Sequence, residues 1–88
     1  MTQIERIEQM EKILDSLKEA IAQVNTAISR LRELGPQAME LDEYYGSPEW
    51  FDDLKADENG LLPKGLKRGV LSEDGIYDVL NEYKSFDL

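Results

Sequence analysis

An apolar stripe at helical spacing runs along the first third of the chain. Its residues alternate in steps of three and four: Ile7, Met10, Leu14, Leu17, Ile21, Val24, Ile28 and Leu31. No proline or glycine interrupts residues 1–34, so the pattern predicts one unbroken amphipathic helix with a seam for packing. The stripe is widened by Ile13, Ala20, Ala27 and Leu34, which is typical of a bundle helix.

Both ends of this helix carry sequence signals. Thr2 followed by Glu5 forms a capping box, in which a hydroxyl and a carboxylate satisfy free amides of the first turn. Gly35-Pro36 is a stop signal, and the preceding turn is basic, which suits the negative end of the helix dipole. The predicted helix covers about residues 3–34.

Three shorter helices are predicted, over about residues 36–45, 48–56 and 73–86. Pro36 and Pro48 suit first helical positions, Ser47 and Ser72 suit N-caps, and residues 61–71 form a loop or short turn. Nothing alternates with the period of two expected of a strand. We therefore predict a single all-α domain over residues 1–88, with the short helices packed back against the long one. The apolar positions expected to be buried are Trp50, Phe51 and Leu54 in the third helix, and Ile76, Val79, Leu80 and Tyr83 in the last.

Composition excludes several classes of chemistry. The 88 residues include no cysteine and no histidine, so the chain lacks thiols, disulfides and the commonest general base and metal ligand. No apolar run approaches the ~20 residues that span a bilayer. With no signal-peptide pattern, the sequence predicts a soluble cytoplasmic protein without a cofactor.

The net charge of −9 is unevenly distributed. Residues 35–60 carry eight acidic residues against Lys55 alone. Such a segment repels phosphate backbones and anionic membranes, and it attracts basic proteins or cations. A role in solubility alone is the simpler interpretation, and the sequence leaves the choice for residues 40–58 open.

The length of the first helix raises the question of a partner. Residues 3–34 reach ~48 Å as a helix, although a compact chain of this size is only about 31 Å across. Exposed contiguous apolar strips usually mark interfaces, so we expect a homodimer, with a closed monomer as the alternative. The predicted interface residues are Ile4, Ile7, Met10, Leu14, Leu17 and Ile21.

Carboxylate pairs three residues apart deserve a test, because all-helical nucleotide pyrophosphatases hold magnesium with such pairs. Glu49 and Asp52, with Asp53 beside them, give the candidate cluster. About four such pairs are expected by chance in so acidic a chain, so their presence here is not evidence for a metal site. A calcium loop around Gly60 is excluded, because alignment places Lys55 and Leu66 at ligand positions.

Other motifs favour structural roles. Lys67-Arg68-Gly69 before a helix suggests a phosphate site, but the acidic helix start opposes an anion. An ion pair between Arg68 or Lys67 and an acid of the middle segment is the better interpretation. Serine nucleophiles would need a base that histidine cannot supply here. Most aromatic residues are expected to fill the core rather than stack on nucleic acid; they are Tyr44, Tyr45, Trp50, Phe51, Tyr77, Tyr83 and Phe86.

The second half of the chain has a distinctive amino-acid sequence. Residues 62–80 read LPKGLKRGVLSEDGIYDVL, preceded by Tyr44-Tyr45-Gly46-Ser47 with Trp50 and Asp53, and the N-terminal segment contains Arg6-Ile7-Glu8-x-Met10. Together they resemble a family of short, acidic, helical bacterial proteins catalogued only as a domain of unknown function. The resemblance implies a small intracellular bacterial protein and no particular activity.

The function we expect is non-enzymatic: an adaptor or regulatory module for protein–protein interaction that self-associates through its long helix. Two alternatives come from other classes. One is a metal-dependent nucleotide hydrolase that uses Glu49, Asp52 and Asp53. The other is an acidic mimic of nucleic acid that occupies a basic protein.

Overall fold

The computed structural model describes residues 2–88, and these residues form helices without a β-strand. The four α-helices are α1 (Gln3–Glu33), α2 (Gly35–Tyr44), α3 (Pro48–Glu58) and α4 (Glu73–Ser85), and a 3₁₀ turn covers Gly69–Leu71. The predicted all-α class with a long first helix is confirmed. Each predicted helix end lies within two residues of the observed one.

Helix α1 begins at the predicted cap Thr2, while the Glu5 carboxylate accepts from the Thr2 hydroxyl and not, as predicted, from a backbone amide. The backbone amide of Glu5 donates to the Thr2 hydroxyl at 3.1 Å, and that hydroxyl donates to Oε1 of Glu5 at 3.0 Å. The helix then continues for 31 residues, or about 46 Å. Arg30 and Arg32 occupy its last turn, where positive charge stabilises the helix dipole.

Serine side chains cap α3 and α4 as predicted. Ser47 accepts from the amide of Trp50 at 3.2 Å, and Ser72 accepts from the amide of Gly75 at 3.3 Å. Pro48 follows the first cap, at a position where the missing amide costs nothing. Gly46, between α2 and α3, has a φ of 81°, a conformation that glycine adopts without strain.

The chain divides into two compact units, Met1–Arg32 and Glu33–Leu88. The first unit contains α1 as far as Arg32, and the second contains the three short helices and the 3₁₀ turn. The packing of the short helices against α1 within one domain over residues 1–88 stays a prediction.

The second unit has a small core. Among residues 2–88 the buried apolar side chains are Trp50, Leu71, Ile76 and Leu80. The indole Nε1 of Trp50 donates to the carbonyl oxygen of Val70 at 2.8 Å, which joins α3 to the 3₁₀ turn. Tyr45 meets the Trp50 ring edge-on at a centroid distance of 5.1 Å, a favourable arrangement for aromatic pairs.

Two predicted core positions are wrong. Phe51 and Val79 are 57% and 59% exposed. On α4 the buried residues Ile76 and Leu80 lie about 40° apart around the helix axis, and half-buried Tyr83 lies about 20° beyond Ile76 on the side away from Leu80. Val79 lies about 60° to one side of Ile76, because a helix with few neighbours buries only a narrow arc.

Candidate interaction surface

The apolar stripe of α1 lies on the surface. None of the residues of α1, all within the described part of the chain, is buried. The six predicted interface residues Ile4, Ile7, Met10, Leu14, Leu17 and Ile21 are between 44% and 68% exposed. The structure places them along one helix face, so they form a continuous apolar strip.

The strip extends further than the prediction in one direction. Val24 is also exposed and continues the strip beyond Ile21, and exposed Ile13 widens it beside Leu14. Both residues belong to the predicted stripe, so the sequence signal for them was present. Towards the C-terminal end of α1 the exposure falls, since Ile28 and Leu31 are half-buried. We call the exposed seam residues Ile7, Met10, Leu14, Leu17, Ile21 and Val24 the α1 seam.

The two compact units differ in net charge. Residues 1–32 contain five acidic and five basic residues, and residues 33–88 contain fourteen acidic and five basic residues. The net charge of −9 therefore lies entirely in the second unit. The α1 seam belongs to a segment with no net charge, where long-range repulsion between copies is weakest.

The proposed carboxylate cluster is not assembled as a metal site. Within residues 2–88 no three acidic side chains converge in a way that would hold a metal ion. Instead, Oδ2 of Asp53 accepts a hydrogen bond from the Tyr44 hydroxyl at 2.6 Å. The hydrolase and nucleic-acid-mimic hypotheses stay predictions.

This hydrogen bond perturbs Tyr44. Because the phenol donates to a carboxylate, the pKa of Tyr44 rises from 10.0 to about 12, with smaller contributions from burial and from the charge of Asp53. Burial and the nearby charge of Glu73 also raise the pKa of Tyr45. Both tyrosines remain neutral at physiological pH, and they act here as structural hydrogen-bonding and packing groups.

The predicted ion pair of the loop is present. Nη1 of Arg68 lies 2.6 Å from Oδ1 of Asp57, which ties the segment before α4 to the end of α3. A second pair joins α4 to α2, with Nζ of Lys84 3.5 Å from Oδ2 of Asp42. Since Arg68 is engaged by a carboxylate, the arrangement favours loop anchoring over a phosphate site.

One contact of the second unit had no sequence signal. The bond from Trp50 to the Val70 carbonyl spans 20 residues, and no local pattern marks either partner. A neighbouring surface groove is lined in part by Tyr44, Asp53 and Arg68. Within this groove Tyr44 pairs with Asp53, and Arg68 pairs with Asp57 at the end of α3.

Comparison with known families agrees with the resemblance seen in the sequence. A family model described as "Domain of unknown function (DUF4298)" matches residues 7–86. The chain belongs to the DUF4298 family. The match begins within α1 and ends just after α4, so the DUF4298 region contains the α1 seam and residues 33–86 of the second unit.

No curated protein and no solved structure matches the DUF4298 chain. In residues 2–88, none of the helices combines the length and the apolar character needed to cross a membrane. The bacterial origin and the cytoplasmic location stay predictions.

Proposed function

We propose that this DUF4298 protein is a non-enzymatic protein–protein interaction module, an adaptor or regulatory subunit of the cytoplasm, that self-associates through α1. One observation carries the proposal: the α1 seam is exposed along a helix in which no described residue is buried. Contiguous apolar surface of this kind is uncommon on monomeric soluble proteins and usually marks an interface.

The energetic argument sets the expected affinity. Covering a half-exposed Leu, Ile, Met or Val side chain contributes about 1 kcal/mol, so the six seam residues on each of two helices contribute about 12 kcal/mol. Association costs roughly 4–15 kcal/mol in lost translational and rotational freedom. The difference corresponds to a dimer with a micromolar or weaker dissociation constant.

Charge does not oppose this contact along the helix. Residues 1–32 have equal numbers of acidic and basic residues, so two copies of α1 approach without net repulsion. The acidic second unit keeps the protein dispersed, which is compatible with a weak and reversible interaction.

The oligomeric state tests the proposal directly. Sedimentation velocity and light scattering after size exclusion, between about 5 and 500 µM, should show the 10.1 kDa chain moving towards twice its mass as concentration rises. The double variant Leu14→Glu and Leu17→Glu should remain monomeric, because it places two charges within the apolar contact.

A matched control separates this effect from a general effect of charge. Gln9→Glu and Gln23→Glu add the same two charges to exposed positions of α1 outside the seam, and this variant should associate like the parent. Circular dichroism at 222 nm verifies that both variants keep their helix. A parent protein that stays monomeric at all these concentrations, or equal association of both double variants, contradicts self-association through the seam.

A further inference from the structure

The α1 seam is symmetric about its own centre. Its exposed residues run from Ile7 to Val24, and the half-burial of Ile28 and Leu31 limits the seam at its C-terminal end. In heptad terms Ile7, Leu14 and Ile21 occupy a positions, and Met10, Leu17 and Val24 occupy d positions. In two antiparallel helices each a residue faces a d residue of the other helix. The spacing of large apolar residues along the seam is therefore the same from either end of the helix.

We propose that two copies of α1 pair antiparallel around a two-fold axis that passes between Asp15 and Ser16. This inference rests on the proposed function and adds the partner, a second copy of the chain, and its orientation. In this register Ile7 faces Val24 of the second copy, Met10 faces Ile21, and Leu14 faces Leu17. Every exposed seam residue is thereby covered by another large apolar residue.

The flanking positions agree with the same register. Glu11 and Lys18 occupy e positions beside the seam, and both are exposed. Antiparallel pairing with this axis brings Glu11 of each copy next to Lys18 of the other, which gives two opposite-charge pairs per dimer. On the other flank, Ile13 lies opposite Ala20, so a large side chain meets a small one. Ile4 lies at the end of the strip, in an e position.

A parallel dimer suits this chain less well. It would pair Glu11 with Arg6 of the second copy, which is favourable, but it would place both α1 C-termini at the same end. Each C-terminus leads into residues 33–88, which carry all of the net charge of −9, so the two acidic segments would begin side by side. Antiparallel pairing starts them at opposite ends, which lowers the electrostatic repulsion, and it also opposes the two helix dipoles.

A charge-exchange experiment tests the orientation. Glu11→Lys and Lys18→Glu should each weaken self-association about tenfold, since each turns two attractive pairs into two repulsive ones. An equimolar mixture should form a heterodimer of about parental affinity, because lysines of one chain then meet glutamates of the other at all four positions. Gln9→Lys and Gln23→Glu, at exposed positions outside the seam, form the matched control pair, whose mixture should show no such preference.

Cysteine crosslinking gives an independent readout, because the chain has no cysteine of its own. A mixture of Ile7→Cys and Val24→Cys chains should form a mixed disulfide dimer under mild oxidation, and Ile7→Cys alone should form little. Efficient crosslinking of Ile7→Cys with itself would overturn the antiparallel arrangement and show a parallel one. If the parent protein dimerises but neither the heterodimer nor the mixed disulfide forms, the antiparallel arrangement is also overturned. A parent that never dimerises refutes the proposed function instead, so the two failures are distinguishable.

Discussion

Trp50 is the residue on which the second unit depends most. A folded segment of residues 33–88 has an expected free energy of unfolding of about 3–8 kcal/mol. Truncating a buried tryptophan to alanine costs about 3–5 kcal/mol. The substitution Trp50→Ala should therefore remove about half or more of the free energy of unfolding of the second unit and lower its urea midpoint accordingly.

The structure divides this effect into parts. Trp50→Phe keeps an aromatic ring against Tyr45 and removes the indole N–H that donates to Val70 at 2.8 Å, so it should cost about 1–2 kcal/mol. Phe51→Ala is the matched control, because Phe51 is the next residue along α3 and is 57% exposed. It should cost at most about 1.5 kcal/mol, mainly through its edge-on contact with Trp50.

Urea titrations followed by circular dichroism measure these differences, and amide NMR spectra show which unit has unfolded. The resonances of Ile76 and Leu80, which share the core with Trp50, should lose their dispersion at a lower urea concentration in Trp50→Ala than in the parent. A Trp50→Ala protein within about 1.5 kcal/mol of the parent, or no less stable than Phe51→Ala, would refute the central role of Trp50.

Two further predictions concern polar contacts. The stability that the Tyr44 hydrogen bond to Asp53 contributes should be constant below pH 10 and disappear as the pH rises to about 12, because the folded protein holds the phenol proton that the unfolded chain releases at its ordinary pKa of 10.0. At pH 8 the free energies of unfolding of the parent and Tyr44→Phe should differ by about 1 kcal/mol, because the pair is solvent-screened. The two values should converge at pH 12, and a difference that stays constant with pH would contradict the assignment. Ser72→Ala should cost about 1 kcal/mol through loss of the α4 cap, and Ser72→Asp should restore most of it; equal losses in both variants on urea titration would show that the cap contributes nothing.

The sequence predicted what depends on neighbouring residues. The caps at Ser47 and Ser72 involve groups three residues apart, and residue type and spacing were sufficient to identify them. For the ion pair, they gave only Arg68 or Lys67 with an acid of the middle segment, and the structure selects Arg68 and Asp57. The exposed strip on α1 followed from one periodicity. These features are local, so no knowledge of the tertiary arrangement was required.

Features that depend on tertiary packing were missed. The bond between Trp50 and the Val70 carbonyl requires the 3₁₀ turn to lie beside α3, which no local pattern encodes. Val79 has the spacing of a buried residue but is exposed, because burial depends on how wide an arc the neighbouring elements cover. For the same reason the heptad pattern did not distinguish the exposed residue Val24 from the half-buried Ile28.

The exposed apolar strip lies in one unit and the net charge in the other, and this has a consequence for handling the protein. The net negative charge of the chain comes entirely from residues 33–88, while residues 1–32 contribute no net charge of their own. A peptide of α1 alone would lack the charge repulsion that opposes aggregation through its apolar strip. Acidification towards the isoelectric point near 4.3 removes the same protection from the intact protein, so precipitation there reflects lost repulsion while the core can remain folded.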